Sequence, residues 1–68
     1  MAIYDNIKLI ATKRGVKSIA ELERTVGLSN GSISKWNDYA PNVRNLKLVA
    51  DELNVKVDVL LRDSLEVI

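Results

Sequence analysis

Sixty-eight residues with ten Lys or Arg, nine Asp or Glu and neither cysteine nor histidine make one small domain with a thin stability margin, since a chain of this length buries only about 60 % of the surface its unfolded form exposes. The missing residue types exclude disulfides, thiolate or imidazole zinc sites and Cys–His or Ser–His–Asp catalysis, which leaves helix packing and self-association as sources of stability. The formal charge of +1 is unevenly spread: residues 1–50 hold eight basic and four acidic side chains, and residues 51–68 hold two and five, a positive body with a negative end that suits a polyanion on one face.

In chain order, Ile3, Ile7, Ile10 and Ala11 recur at helical spacing, with Lys13 and Arg14 in the last turn and Gly15 just beyond. That pattern predicts a first helix. Ser18-Ile19-Ala20-Glu21 reads as a capping box that opens a second, in which Leu22 and Val26 follow and Gly27 makes the stop. Ser29 predicts the N-cap of a third helix running through Ile33 to about Trp36, weakened by Gly31. Asn37 to Pro41 read as a loop. Asn42 then caps a fourth helix with the stripe Leu46, Val49, Ala50, Leu53, ended by Asn54. Val57, Leu60 and Leu61 suggest a short fifth, although Lys56 is a poor cap. The fold class is all-α.

Segments two and three form a unit of special spacing. Three residues, Gly27, Leu28 and Ser29, separate them, too few for an antiparallel hairpin, so two helices joined this way cross steeply. Leu22, Val26, Leu28, Ile33 and Trp36 are expected to fill the angle between them, leaving a side of the third segment that carries Asn30, Gly31, Ser34, Lys35 and Asp38. Trp36 continues the Ile33 side and reads as core in preference to base stacking. Lys8, Lys13 and Arg14 read as a solvated helix face, as does the acidic stretch of Asp51, Glu52 and Asp58, where nothing resembles an acid/base pair.

The run from Ser18 to Trp36, followed by Pro41 and then by Leu46, Val49-Ala50, Leu53, Val55 and Leu60-Leu61, resembles the helix-turn-helix domain of the Cro/C1-type (XRE) repressor family. Short cI-like phage repressors of Gram-positive bacteria are the nearest group in pattern. The resemblance spans about residues 3–62 and implies a compact five-helix, lambda-repressor-like domain over residues 1–62, with 63–68 as a C-terminal tail. Two positions depart from the family. Glu23 stands where alanine is usual, and is expected to reach solvent or pair with Arg24 or Lys35. Gly31 stands where many members present a long base-reading side chain.

The resemblance further implies a function: sequence-specific binding of a double-stranded DNA operator, with the recognition helix, about residues 29–37, in the major groove. Asn30 would pair with adenine, and Lys35 would reach a guanine edge or a phosphate. Ser29, Ser32 and Ser34 would supply short donors, and Gly31 would allow close backbone approach. Lys17 and Ser18 would clamp a phosphate at the start of the second helix, with Arg44 and Lys47 on the backbone at the other side. Operator symmetry implies a homodimer, with the tail (Leu65, Val67, Ile68) and Val57, Leu60 and Leu61 as the expected partner contact.

No cofactor, metal or small-molecule substrate is called for. With no cysteine to oxidise, no apolar run near the roughly 20 residues that span a bilayer, and no signal-peptide pattern at Met1-Ala2-Ile3-Tyr4-Asp5, the expectation is a cytoplasmic protein without a membrane. The competing reading is an antitoxin-like module that holds a toxin or another regulator. An enzyme is the weakest of the three classes.

Overall fold

The computed structural model describes residues 2–38 and 40–62. Among these it is all-helical: α1 (Ile3–Lys13), α2 (Ile19–Val26), a 3-10 turn (Ile33–Lys35), α3 (Val43–Leu53) and α4 (Val57–Leu60). α1 packs on α2, α4 and the 3-10 turn, while α3 packs on α2 and α4. The radius of gyration, 10.6 Å, matches the roughly 11 Å expected of a collapsed chain of this length, so the elements share one core. No helix among the described residues is long and apolar enough to cross a membrane.

The apolar stripes go where their periodicity sends them. Ile3, Ile7, Ile10 and Ala11 from α1, Leu22 from α2, and Leu46, Val49, Ala50 and Leu53 from α3 are all buried. They meet Ile33, Trp36 and Leu60 in a single cluster. Burying each of the larger aliphatic side chains among them contributes roughly 1.5–3 kcal/mol, which is how a chain without cross-links holds four short helices together.

The helix ends follow local chemistry. Ser18 Oγ accepts from the Glu21 N–H at 3.1 Å, and Asn42 Oδ1 accepts from the Asn45 N–H at 2.8 Å. Only the serine half of the expected capping box forms; Glu21 makes no return bond to Ser18. α1, α2 and α3 all stop in the same way. Gly15, Gly27 and Asn54 take positive φ. The next residue, Val16, Leu28 or Val55, donates to the carbonyl of Ala11, Glu23 or Ala50 respectively. This is the Schellman closure, in which the residue after the left-handed one is apolar and tucks back; all three pack against the core.

Gly27 matters most, because α2 must end there for the chain to turn. A β-carbon at this position would touch nothing within 4 Å, so Gly27→Val tests the φ of +83° alone. We expect a loss of about 1–3 kcal/mol in denaturant unfolding, from strain at a β-branched residue in the left-handed region. Unchanged stability would mean that the turn tolerates another backbone path.

Three sequence expectations are corrected. The third helix from Ser29 to Trp36 is not an α-helix, so the described residues hold four α-helices and not five. Gly31 sits at φ +90°, which an α-helix cannot accommodate. The segment is instead wound by i→i+3 bonds: Ser32 to Ser29, Lys35 to Ser32, Trp36 to Ile33 and Asp38 to Lys35. Ser29 therefore takes part through its carbonyl and is not a side-chain cap. The fifth element, α4, is present but has only four residues and no side-chain cap at Lys56. The expected partner contact is corrected at Leu60, which is 0 % exposed and belongs to the core of this chain; Val57 is half-buried, Leu61 is exposed, and Leu65, Val67 and Ile68 lie outside the described residues.

Candidate nucleic-acid interface

Residues 29–38 owe their shape to side-chain bonds that tie them to other parts of the chain. Glu23, on α2, is 2 % exposed. One carboxylate oxygen accepts the Gly31 N–H at 3.0 Å and the other accepts the Ile33 N–H at 2.9 Å. This overturns the expectation that Glu23 reaches solvent or pairs with Arg24 or Lys35. A carboxylate is favourable at the start of a helical turn because the first N–H groups have no acceptor within the turn, and Ser32 supplies no side-chain cap there. Charge-assisted bonds of this kind are about twice as strong as neutral ones, and they compensate for taking the charge out of water.

At the other end, Asn37 Oδ1 accepts the N–H of Tyr4 at 2.9 Å and, at a longer 3.4 Å, that of Asp5. Those N–H groups open α1, whose own N-cap, Ala2, has no side-chain oxygen to offer. One asparagine thus caps a helix that begins far earlier in the chain, tying the end of the candidate interface to the first helix.

Between these anchors the segment divides by face. In a 3-10 turn, side chains three apart line up. Ile33 and Trp36 take the inner edge, 0 % and 4 % exposed, in agreement with the core reading of Trp36. Ser34, Lys35 and Asp38 are exposed, as are Ser29 and Asn30, while Gly31 and Ser32 are half-buried. The Ser34 hydroxyl donates to the Gly31 carbonyl at 2.8 Å, so what it still offers outward is acceptor capacity. Leu22 is buried, and Val26 and Leu28 pack at the rim of the core, filling the angle between α2 and the turn.

The remaining candidates are exposed and distributed over three elements. Lys17 and Ser18 line a shallow depression between the end of α1 and the start of α2, together with Lys8, a residue that helical patterning assigns to a plain solvated face. Asn30 lines a second depression with Arg24, Ala20, Leu28 and Glu23. Arg24 is thus a basic neighbour that spacing did not single out. Arg44 and Lys47 are exposed on the first turns of α3, and no hydrogen bond or ion pair among the described residues links them to residues 29–35. Lys47 pairs with Asp51 at 3.3 Å, both well exposed; such a surface pair at helical spacing contributes about 0.5 kcal/mol or less and yields readily to a stronger anion.

The arrangement can present donors and cations to a polyanion. Among the described residues no three carboxylates gather as metal ligands, and no buried side-chain nitrogen or oxygen lacks a hydrogen-bond partner. Sequence reasoning missed Glu23 and Asn37 in their roles, because Asn37 bonds to backbone distant in sequence and Glu23 to backbone beyond a turn. Comparison with known proteins finds no matching family model, no matching curated protein and no matching solved structure.

Proposed function

We propose that the chain is a sequence-specific regulator that binds double-stranded DNA, a repressor-like domain of Cro/C1 (XRE) type that reads an operator from the major groove with the segment 29–37. The observation that supports this best is the division of that segment. Directly after the break at Gly27, Ile33 and Trp36 face the core while Asn30, Ser34 and Lys35 face solvent. A segment used only to fill the core has no need of an exposed amide and an exposed cation five positions apart on either side of a buried Ile33.

In this reading Asn30 reads adenine through a bidentate contact and Lys35 reaches guanine or phosphate. Lys17, Ser18, Arg44 and Lys47 hold the backbone, which positions the protein without reading sequence. The segment is tighter and shorter than a full recognition helix, so Ser29, Gly31, Ser32 and Ser34 approach mainly through backbone and short groups. The protein acts in the cytoplasm as a two-fold homodimer on half-sites about one helical turn apart. It needs no cofactor and catalyses no reaction.

Selection of bound duplexes from a random pool, followed by affinity measurement across a salt series, tests the proposal. A palindromic site is expected, with affinity falling steeply as salt rises, because each neutralised phosphate releases counterions. No enrichment and no salt-dependent binding would leave the antitoxin-like protein-binding module in its place. Within the same assay, Lys35→Ala is expected to weaken operator binding by about tenfold or more. Its thermal stability should stay within about 0.5 kcal/mol of the parent, as for an exposed residue without structural partners. Early melting would instead make Lys35 a structural residue.

A further inference from the structure

We infer that Glu23 and Asn37 are positioning residues that set how well the protein tells its operator from other DNA, by holding residues 30–35 in one conformation before binding. The inference rests on the DNA-binding reading and adds to it the source of discrimination.

The segment has little regular structure of its own. It contains a three-residue 3-10 turn preceded by a glycine at positive φ, and runs of this kind are short because their hydrogen bonds are poorly aligned. Its two ends are nevertheless tied to other helices, by the Glu23 carboxylate of α2 on the N–H groups of Gly31 and Ile33 and by Asn37, which accepts the N–H of Tyr4 in α1. Glu23 is buried to 2 % exposure, so its carboxylate touches no phosphate and no base, and its influence on DNA passes through the backbone it holds.

Operator contacts and non-specific contacts respond differently to that restraint. Non-specific binding is charge neutralisation by flexible cations, which needs no single conformation. Base reading needs Asn30 and Lys35 at fixed places. If the segment is in its binding-competent shape only about a tenth of the time, operator affinity falls about tenfold, while contacts that do not depend on that shape lose nothing.

Glu23→Gln and Asn37→Ala separate the two effects. The glutamine substitution keeps the length of the side chain but sets an NH2 donor against one of two N–H groups. Asn37→Ala removes an acceptor from the far end and leaves α2 untouched. Each variant is compared with the parent on the selected operator and on random-sequence duplex, at a temperature where circular dichroism shows it folded. Amide exchange is recorded in parallel. We expect operator affinity to drop about tenfold or more, with random-sequence affinity undiminished and the salt slope unchanged. The Gly31 and Ile33 amides should exchange faster in Glu23→Gln, while the amides of α3 keep their protection. If both variants discriminate as well as the parent, or lose affinity for both DNAs alike, the positioning role is refuted and the DNA-binding reading stands. If the parent itself selects no sequence, the reading fails and the inference goes with it.

Discussion

Glu23→Ala is expected to lower the free energy of unfolding by about 2–4 kcal/mol, most of what so small a domain has to lose. The change orphans two backbone N–H groups at once. Ile33 is fully buried, so its N–H has no route to water, and an unsatisfied buried donor costs about 1–3 kcal/mol. The Gly31 N–H is only partly buried and recovers some of its loss by hydration. Removing the carboxylate also ends the cost of keeping a charge out of water, which holds the total below the sum of two charged hydrogen bonds. Urea unfolding followed by Trp36 fluorescence measures the loss, since Trp36 is buried directly after the affected turn. A loss under about 1 kcal/mol, the lower bound for one orphaned donor, would show that the two N–H groups find other acceptors, and that Glu23 does not hold the segment.

Leu60→Ala is expected to be as damaging, about 3–4 kcal/mol. Its side chain is fully buried, and α4 cannot stand without it. Four residues lie far below the length at which a helix is stable by itself, and Lys56 gives no side-chain cap. α4 is held chiefly by Leu60 beneath it, with Val57 and Val59 at the rim of the core, and by Asn6 at its end. Asn6 is 2 % exposed, and its Nδ2 donates to the carbonyls of Leu60 at 3.0 Å and Arg62 at 2.7 Å. Truncating Leu60 leaves a cavity between α1, α3 and α4 and loosens the partner groups of Asn6. Loss of α4 protection in amide exchange, together with the lower midpoint, is the expected result. If α4 protection survives the substitution, Asn6 together with Val57 and Val59, which also pack against the core, is sufficient to keep it in place.

What the sequence determined by itself was governed by near neighbours along the chain. The α1 and α3 stripes, the Ser18 and Asn42 caps, the stops at Gly15, Gly27 and Asn54 and the inward place of Trp36 are all local, because helix periodicity and capping depend on residues within a turn or so. The outward position of Asn30, Ser34 and Lys35 was legible for the same reason, as the complement of the Ile33–Trp36 side. The tertiary structure decided what local rules cannot reach. Ser29 ahead of Ile33 and Trp36 reads as an ordinary helix start, yet Gly31 at positive φ and an acceptor eight positions earlier turn the segment into a 3-10 turn. Asn6 and Asn37 look like surface residues until the fold brings helix ends 54 and 33 positions away within hydrogen-bonding distance. In each case a backbone donor or acceptor left over at a helix end had to be satisfied, and its partner was fixed by packing, not by distance along the chain.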